Sequence, residues 1–349
     1  MAADDFAIVI GVSEYTQFPA LSAAENDALA FYEWLIDPNG GDVPPARVAR
    51  TVVSDLLPAQ RGHRPFPVKD DVDDKLTPFI AKQTGRVGRR LYVYFSGHGC
   101  VPDVASIALL MSNAGTDLLG RNIGAERYRD VLTARAHFDE LVFFLDCCAS
   151  ASASAELGAP PWPHQNRHPD FSKVRALVGV GTEIGHVSYA PEDPNGRSFF
   201  TEALLEGLRG KAADDSGAID GESLSRWVKE RVPVLALRAG KLQKPDFPVK
   251  AGIVFRQGVQ GAPASRLITF KVADALVERP LTVRDGSLKV VRTFADTGPS
   301  RRFQALLTPG LYEVEYPSPA GARQINVHVG PSLDPATLVL EPNVGKIRV

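Results

Sequence analysis

Two apolar runs, each ending close to a chemically reactive side chain, constrain this sequence more than any other feature. Residues 91–95 end three residues before His98, and residues 141–145 end three residues before Cys148. Because neither run alternates with polar residues, each is typical of a strand that is covered on both faces in a parallel sheet. Ligands of such sheets bind beyond the carboxyl ends of the strands. If the two strands are neighbours, the sheet therefore carries an imidazole and a thiol at one edge.

An imidazole beside a thiol is the pair of groups that a cysteine hydrolase needs. A thiol is a weak nucleophile until it loses its proton, and an adjacent histidine can remove that proton. Gly97 and Gly99 flank His98, and without a Cβ they let the backbone turn sharply and a substrate come close. The backbone amides of Gly99 and Cys148 are then candidate donors to an oxyanion. A simpler interpretation, in which His98 and Cys148 only pack in the core, stays open.

Strand and helix patterns alternate along residues 1–258, which predicts a parallel sheet between helical layers. A further short strand at residues 253–255 is expected to end the sheet. The predicted helices are residues 24–35, 71–83, 125–134, 198–208 and 224–232, and Pro233 is expected to end the last of them.

The sequence Ser-Gly-His-Gly at 96–99, followed by Asp-Cys-Cys at 146–148, resembles the caspase, metacaspase and paracaspase clan of cysteine peptidases. A histidine about fifty residues before the cysteine belongs to the known caspase pattern. Residues 6–12 resemble the first strand of that fold, and residues 198–210 resemble a helix of bacterial members. The resemblance covers residues 5–256. It implies an α/β fold, a caspase-like three-layer αβα sandwich with a mostly parallel sheet, and cysteine endopeptidase activity.

The resemblance assigns the catalytic roles. The family nucleophile lies two residues after an aspartate, which makes it Cys148, and His98 is the partner that manages its proton. Cys147 and Cys100 are then buried small hydrophobic residues. A metal site formed by His98 and the three cysteines is the alternative, but the spacing lacks the paired Cys-x2-Cys pattern of structural zinc sites. We therefore expect no metal and no cofactor.

The resemblance to metacaspases also implies an acidic pocket for the residue before the scissile bond. Asp27 and Asp146 match its carboxylates, Ser96 matches a pocket hydroxyl, and Ala24 stands where many members have a cysteine. Two carboxylates in a partly dry pocket favour a guanidinium or ammonium group. The predicted specificity is cleavage after Arg or Lys. The alternatives are a solvated helix residue for Asp27 and a loop-capping residue for Asp146.

Residues 149–151 read Ala-Ser-Ala, where metacaspases usually have His-Ser-Gly. This difference slightly favours an alternative function, a catalytically silent adaptor that keeps the fold and binds partner proteins. A transferase or ligase that uses the same acyl-enzyme is a third class. The stretch after His98 lacks the Asp-rich motif of calcium-dependent members, so we do not expect calcium to be required there.

Residues 149–175 form a long polar segment between two predicted strands. Loops of this length are usually functional or disordered, and in caspase-like enzymes the equivalent linker is cut on activation. The segment contains the basic residues Arg167, Lys173 and Arg175. We therefore predict a zymogen that is processed at one of them, by itself or by an upstream activating protease. A loop that is never cut is the alternative.

A second domain is predicted at residues 263–349, beyond the caspase-like domain at residues 1–258. Turn signals such as Asp285-Gly286 and Pro309-Gly310 separate short strand patterns, as in a β-sandwich. The predicted strands are residues 267–272, 281–283, 288–290, 303–307, 311–316, 325–329 and 337–340. Both a role in binding and a role in governing activation stay open for this domain.

Composition excludes several function classes. The 349-residue chain has a net charge of −2, which gives no electrostatic footprint for nucleic acid. Its three cysteines do not form a disulfide framework and suit a reducing compartment. Residues 1–20 lack the pattern of a secretory signal, and no apolar run is long enough to span a bilayer. We expect a cytoplasmic protein whose partners are protein or peptide substrates, with no membrane partner.

Overall fold

The computed structural model describes residues 2–80, 85–103, 106–151, 155–162, 167–191, 193, 196–214, 216–249, 252–259, 266–272, 281–294, 302–307, 310–318, 321–329 and 337–340. The β-strands in chain order are β1 (Asp5–Gly11), β2 (Val48–Thr51), β3 (Gly88–Ser96), β4 (Gly99–Asp103), β5 (Ser106–Leu110), β6 (Asn122–Gly124), β7 (Phe138–Asp146), β8 (Ser150–Ala151), β9 (Arg175–Val180), β10 (Ile219–Asp220), β11 (Val254–Arg256), β12 (Arg266–Val272), β13 (Leu281–Asp285), β14 (Val290–Phe294), β15 (Arg302–Leu307), β16 (Gly310–Ser318), β17 (Gly321–Val329) and β18 (Thr337–Leu340). The α-helices are α1 (Ala24–Ile36), α2 (Lys69–Ile80), α3 (Ala125–Arg135), α4 (Phe199–Glu206) and α5 (Gly221–Arg238).

A parallel five-stranded sheet with the order β2-β1-β3-β7-β9 forms the centre of the N-terminal part. Its side chains alternate between two apolar cores, as the pleat of a strand requires. Tyr92 and Tyr94 of β3 face the core that α1, α4 and α5 cover. Leu91 and Val93 face the core that α2 and α3 cover. These layers confirm the predicted three-layer αβα sandwich.

Helix α5 differs from its prediction because it continues past Pro233 to Arg238. Proline in a helix interior removes one hydrogen bond and costs about 3 kcal/mol. Val232 and Ala236, on either side of Pro233, are both fully buried in the core. Their burial keeps the helix intact through the proline, so tertiary packing outweighs the local preference.

The strand predicted to end the central sheet lies elsewhere. Strand β11 pairs with β10 in a separate two-stranded sheet, so that prediction was wrong. Beside the outer strand β9, Asp246 instead forms an isolated antiparallel bridge with Val180. A further small sheet has the order β6-β5-β4-β8. Its strand β4 begins directly after His98, and its strand β8 begins two residues after Cys148.

The C-terminal part contains seven strands in two sheets. Six of them overlap their predicted ranges, whereas the strand predicted at 288–290 begins only at Val290 and runs to Phe294, because Leu288 still belongs to the turn. One sheet has the order β15-β12-β18 and the other has the order β14-β13-β16-β17. Alternating residues such as Phe270, Val283, Val314 and Val329 meet in one apolar core. This arrangement confirms an all-β region. The domain boundary stays a prediction, because residues 260–265 lie outside the described residues. No helix among the described residues is long and apolar enough to cross a membrane.

Candidate active site

The pairing of β3 with β7 brings the two reactive side chains together. The strands are parallel neighbours in a register that places Ser96 opposite Asp146. His98 and Cys148 each follow two residues after this pair. Both side chains line one pocket of about 180 Å³ at the carboxyl edge of the sheet. The topology therefore produces the juxtaposition that the two apolar runs predicted.

The His98 imidazole is held by a loop that precedes α1. Its Nε2 donates to the carbonyl oxygen of Pro19 at 2.9 Å. Because a carbonyl can only accept, Nδ1 is the lone-pair nitrogen of the neutral ring. The Tyr15 and Phe18 rings pack on the imidazole with centroid distances of 4.6 and 5.6 Å, and the Tyr15 hydroxyl accepts the backbone N–H of His98 at 2.7 Å. Burial lowers the pKa of His98, which favours the neutral base.

The Cys148 thiol is half-buried and donates to the carbonyl oxygen of Ser188 at 3.8 Å. Burial raises the pKa of Cys148, so the resting group is a thiol and not a thiolate. Together with the lowered pKa of His98, this favours a neutral pair at rest. In such a pair, transfer of the proton from sulfur to imidazole would have to accompany a reaction of the thiol.

Gly99 is a glycine because two cysteines lie against it. A Cβ at this position would lie 2.7 Å from the Cys148 carbonyl oxygen and 2.8 Å from Cys147 Sγ. Cys147 and Cys100 are both buried among apolar side chains, as a packing role requires. The oxyanion role of the Gly99 and Cys148 amides stays a prediction.

Asp27 and Asp146 line the same pocket as the two reactive groups. Asp27 is buried on the first turn of α1, where its Oδ2 accepts the Ser96 hydroxyl at 3.0 Å. Its Oδ1 accepts the backbone N–H of Ser198 at 2.9 Å. The three residues predicted for substrate binding therefore lie together, and Asp27 is not a solvated helix residue.

Asp146 is held by hydroxyl groups and by the first turn of α4. The Ser188 hydroxyl donates to its Oδ1 at 2.9 Å. Its Oδ2 accepts the Ser198 hydroxyl, the Thr201 hydroxyl at 2.6 Å and the Thr201 backbone N–H at 3.2 Å. Ser198, the N-cap of α4, thus joins the two carboxylates.

The pKa values of both carboxylates in this pair are raised. Burial raises the pKa of Asp27 well above its usual value, and the nearby Asp146 raises it further. Burial also raises the pKa of Asp146, although its hydroxyl partners oppose the shift. Among the residues that the structure describes, no Lys, Arg or His forms an ion pair with either carboxylate. A cation that enters this pocket would favour the ionised carboxylates and so oppose both shifts.

The family follows from the comparison with known proteins. A family model described as the caspase domain matches residues 4–249. The chain belongs to this family. The match confirms the prediction of a caspase-like cysteine peptidase.

Two further proteins are similar to this caspase-domain chain. A probable protease of a Desulfuromonadales bacterium is 27% identical over 248 residues, which are 65% of this chain and 29% of that protein. The chain therefore spans less than a third of that relative. Caspase-1 from Spodoptera frugiperda is similar in structure with 15% identity and a TM-score of 0.48, over 73% of this chain and 91% of that chain.

The caspase domain anchors much of the segment that was predicted as a loop. The Ala149 N–H donates to His186 O at 3.0 Å, and Ala149 O accepts the Gly185 N–H at 2.7 Å. Further along, the buried Trp162 donates its Nε1–H to Thr77 Oγ1 at 3.1 Å. Residues 152–154 and 163–166 lie outside the described residues.

The three predicted processing sites lie in different settings. The Arg167 guanidinium lies over the Phe171 ring at 5.1 Å, and the exposed Lys173 pairs with Asp170 at 2.6 Å. Arg175 is the first residue of β9 and forms an ion pair with Glu140. Arg175 pairs with Glu140 of β7, so β9 would have to leave the central sheet before a protease could bind its backbone, and this disfavours cleavage there.

Sequence reasoning missed the side chains that support the site. Ser188, Ser198 and Thr201 bind Asp146, and Tyr15 holds His98. Ser198 before an apolar helical pattern carried an N-cap signal that could have been used. Ser188 and Tyr15 lie in irregular segments, whose paths no hydrophobic period predicts. No group of three or more metal-ligating side chains occurs within the described residues.

Proposed function

We propose that this caspase domain is a cysteine endopeptidase that cleaves proteins after arginine or lysine, with Cys148 as the nucleophile and His98 as its base. One observation carries the proposal. A single pocket is lined by His98, Cys148, Asp27 and Asp146. The first two residues supply acyl-transfer chemistry, and the second two supply charge selectivity.

The proposed reaction is an acyl transfer through a thioester. The Cys148 thiol gives its proton to Nδ1 of His98, and the sulfur attacks the carbonyl carbon of the substrate. The imidazolium then gives that proton to the leaving amine as the C–N bond breaks. Water then attacks the thioester carbon while His98 takes a proton from the water. The C–S bond breaks, His98 gives this proton to the Cys148 sulfur, and the free acid leaves. The Nε2 bond to Pro19, at 2.9 Å, supports Nδ1 as the nitrogen that accepts the proton.

The acceptor capacity of the carboxylates supports a basic substrate side chain. Each carboxylate oxygen has about two lone-pair sites. Asp27 accepts from the Ser96 hydroxyl, the Ser198 N–H and the Ser198 side chain, and Oδ1 of Asp146 accepts from the Ser188 hydroxyl. Of the six or so acceptor sites on these three oxygens, about two are therefore left for a ligand. A guanidinium, with five donors in a planar fork, uses such sites better than an ammonium, so we expect arginine to be preferred over lysine.

Fluorogenic peptides that differ only in the residue before the scissile bond test the proposal. We expect turnover with Arg and Lys to exceed turnover with Asp by about 100-fold, since a buried like charge costs several kcal/mol. Cys148→Ala should abolish cleavage, whereas Cys100→Ala, a matched change at a buried cysteine outside the pocket, should retain it. Preference for Asp would contradict the specificity. Cleavage that survives Cys148→Ala would contradict the nucleophile.

The proposal includes activation by cleavage at Arg167 or Lys173. Both residues lie outside the central sheet, and both have the basic side chain that the pocket is proposed to accept. Intact mass spectrometry of the wild type and of Cys148→Ala should reveal fragments ending at 167 or 173 only in the wild type if the chain cuts itself. An upstream protease would cut both proteins. A wild type that digests peptides while uncut would contradict processing as a requirement.

A further inference from the structure

Gln243 is a buried polar residue that is linked through Ser188 both to Asp146 and to Cys148, although it does not line the pocket itself. Its side chain is 5% exposed and makes three hydrogen bonds. Its Nε2 donates to Gly181 O at 2.8 Å and to Ser188 Oγ at 3.0 Å. Its Oε1 accepts the Tyr189 N–H at 2.9 Å, which fixes the orientation of the amide.

The bond from Gln243 decides which way the Ser188 hydroxyl points. A hydroxyl has one proton, and Ser188 Oγ already accepts from the Gln243 amide. It must therefore donate its own proton elsewhere, and Asp146 Oδ1 lies at 2.9 Å. The amide of Gln243 thus ensures that Asp146 receives a donor from this side.

The same residue fixes the backbone beside the nucleophile. Gln243 holds the Tyr189 N–H, and the adjacent Ser188 carbonyl accepts the Cys148 thiol at 3.8 Å. The segment that carries Gln243 is attached to the central sheet. Three residues after Gln243, Asp246 exchanges two backbone hydrogen bonds with Val180 of β9.

We propose that Gln243 is a positioning residue that aims the Ser188 hydroxyl at Asp146 and holds the Ser188 carbonyl beside the Cys148 thiol. This inference rests on the proposed function, because it assigns Gln243 to the acidic pocket and the nucleophile of that peptidase. Gln243 contacts neither the substrate nor the reacting atoms. It acts through Ser188.

Two substitutions test this role on the full-length protein. Gln243→Leu removes all three hydrogen bonds, and Gln243→Glu keeps an acceptor for Tyr189 but removes both donors. The introduced carboxylate would draw the Ser188 proton away from Asp146. Gln304→Leu, at an exposed residue of β15, is the matched control. Thermal unfolding identifies any variant that loses its fold.

The first readout is the rate at which iodoacetamide alkylates Cys148 across pH, with the modified residue mapped by mass spectrometry. We expect Gln243→Leu to change this rate by about threefold or more, because alkylation follows the state of the thiol. Gln304→Leu should leave it unchanged. This readout requires no peptidase activity, so it tests Gln243 even if the proposed specificity fails.

The second readout is the dissociation constant of benzamidine, an amidinium probe for the acidic pocket. We expect Gln243→Glu to weaken binding by about tenfold, since a buried carboxylate oxygen loses its donor. In the Ser188→Ala background, Gln243→Leu should weaken binding less than it does alone. Wild-type alkylation and wild-type benzamidine binding in folded Gln243 variants would overturn the inference. A wild type that is alkylated at Cys148 but does not bind benzamidine would overturn the specificity instead.

Discussion

The two edges of the central sheet both bury carboxylates, but they satisfy them in opposite ways. At the amino edge, Arg89 binds Asp5 at 2.8 Å, and Arg90 binds Glu140 at 2.7 Å. Arg175 also pairs with Glu140. At the carboxyl edge, the described residues give the two buried carboxylates, Asp27 and Asp146, only hydroxyl and amide donors.

Under the proposed function, this difference separates a structural cluster from a binding site. Burial opposes the charge of Arg90, yet the neighbouring Tyr92 and Glu140 still raise its pKa. Both buried carboxylates at the amino edge therefore have arginine partners within the protein, and these partners oppose the rise in the pKa of Asp5 that burial causes. At the carboxyl edge, burial and mutual repulsion raise the pKa of Asp27. No cation among the described residues compensates this pair, so a bound proton or a cationic ligand must do so. The proposed function assigns this role to the basic side chain of the substrate.

The largest effect is expected from breaking the amino edge. Glu140→Gln leaves the fully buried Arg90 without its main counter-charge, so we expect the free energy of unfolding to fall by about 3–5 kcal/mol. The adjacent Asp139→Asn breaks an exposed pair with Arg86 and should cost less than about 1 kcal/mol. Urea unfolding measures both. Equal losses would contradict a structural role for the amino edge.

At the carboxyl edge, Asp27→Asn should affect activity and not stability. Loss of one buried charge opposite a substrate guanidinium is worth about 3 kcal/mol, so we expect kcat/KM for Arg peptides to fall about 100-fold. The free energy of unfolding should stay equal or rise, because the repulsion from Asp146 disappears. Glu33→Gln, an exposed charge change on the same helix α1, is the control. A large loss of stability with unchanged Arg selectivity would place Asp27 with the structural carboxylates.

Benzamidine binding should depend on pH in a direction set by the raised pKa of Asp27 and Asp146. A proton must leave the pair before the cation binds, so affinity should rise with pH by up to about tenfold per unit, until both groups are ionised. The stability of the ligand-free protein should change oppositely. The contribution of Asp27 and Asp146 to the free energy of unfolding is present at low pH and is lost as pH rises through their pKa values in the folded protein. Calorimetric titration at several pH values measures the affinity for benzamidine, with neutral benzamide as the control. Equal pH profiles for the two compounds would contradict the predicted pH dependence.

Sequence reasoning succeeded where a strong local signal fixed a position. The apolar runs of β3 and β7 were recognisable because strands buried on both faces tolerate few polar residues. Parallel neighbours end at the same edge, so His98 and Cys148 had to meet. The carboxylates Asp27 and Asp146 were assigned only through the family resemblance.

The parts that sequence reasoning missed depend on contacts between distant segments. Gln243 lies 55 residues from Ser188, and no local pattern links an amide to a hydroxyl at that separation. Pro233 indicated a helix end, but packing of α5 outweighed it. Strand β8 is only two residues long, and it forms because β4 passes beside it. Such features are determined by the assembled core and not by local propensity.

The smallest effect is expected from Ser96→Ala, which removes one hydrogen bond from Asp27 and no charge. A neutral donor to a buried carboxylate is worth about 1 kcal/mol, so kcat/KM for Arg peptides should fall about fivefold. Ser112→Ala is the matched control, because the described residues offer its buried hydroxyl no hydrogen-bond partner. It should leave turnover unchanged. If Ser96→Ala instead matches the loss in Asp27→Asn, the pocket works through the geometry of its hydroxyls, and the contrast in charge between the two edges of the sheet is not what selects the substrate.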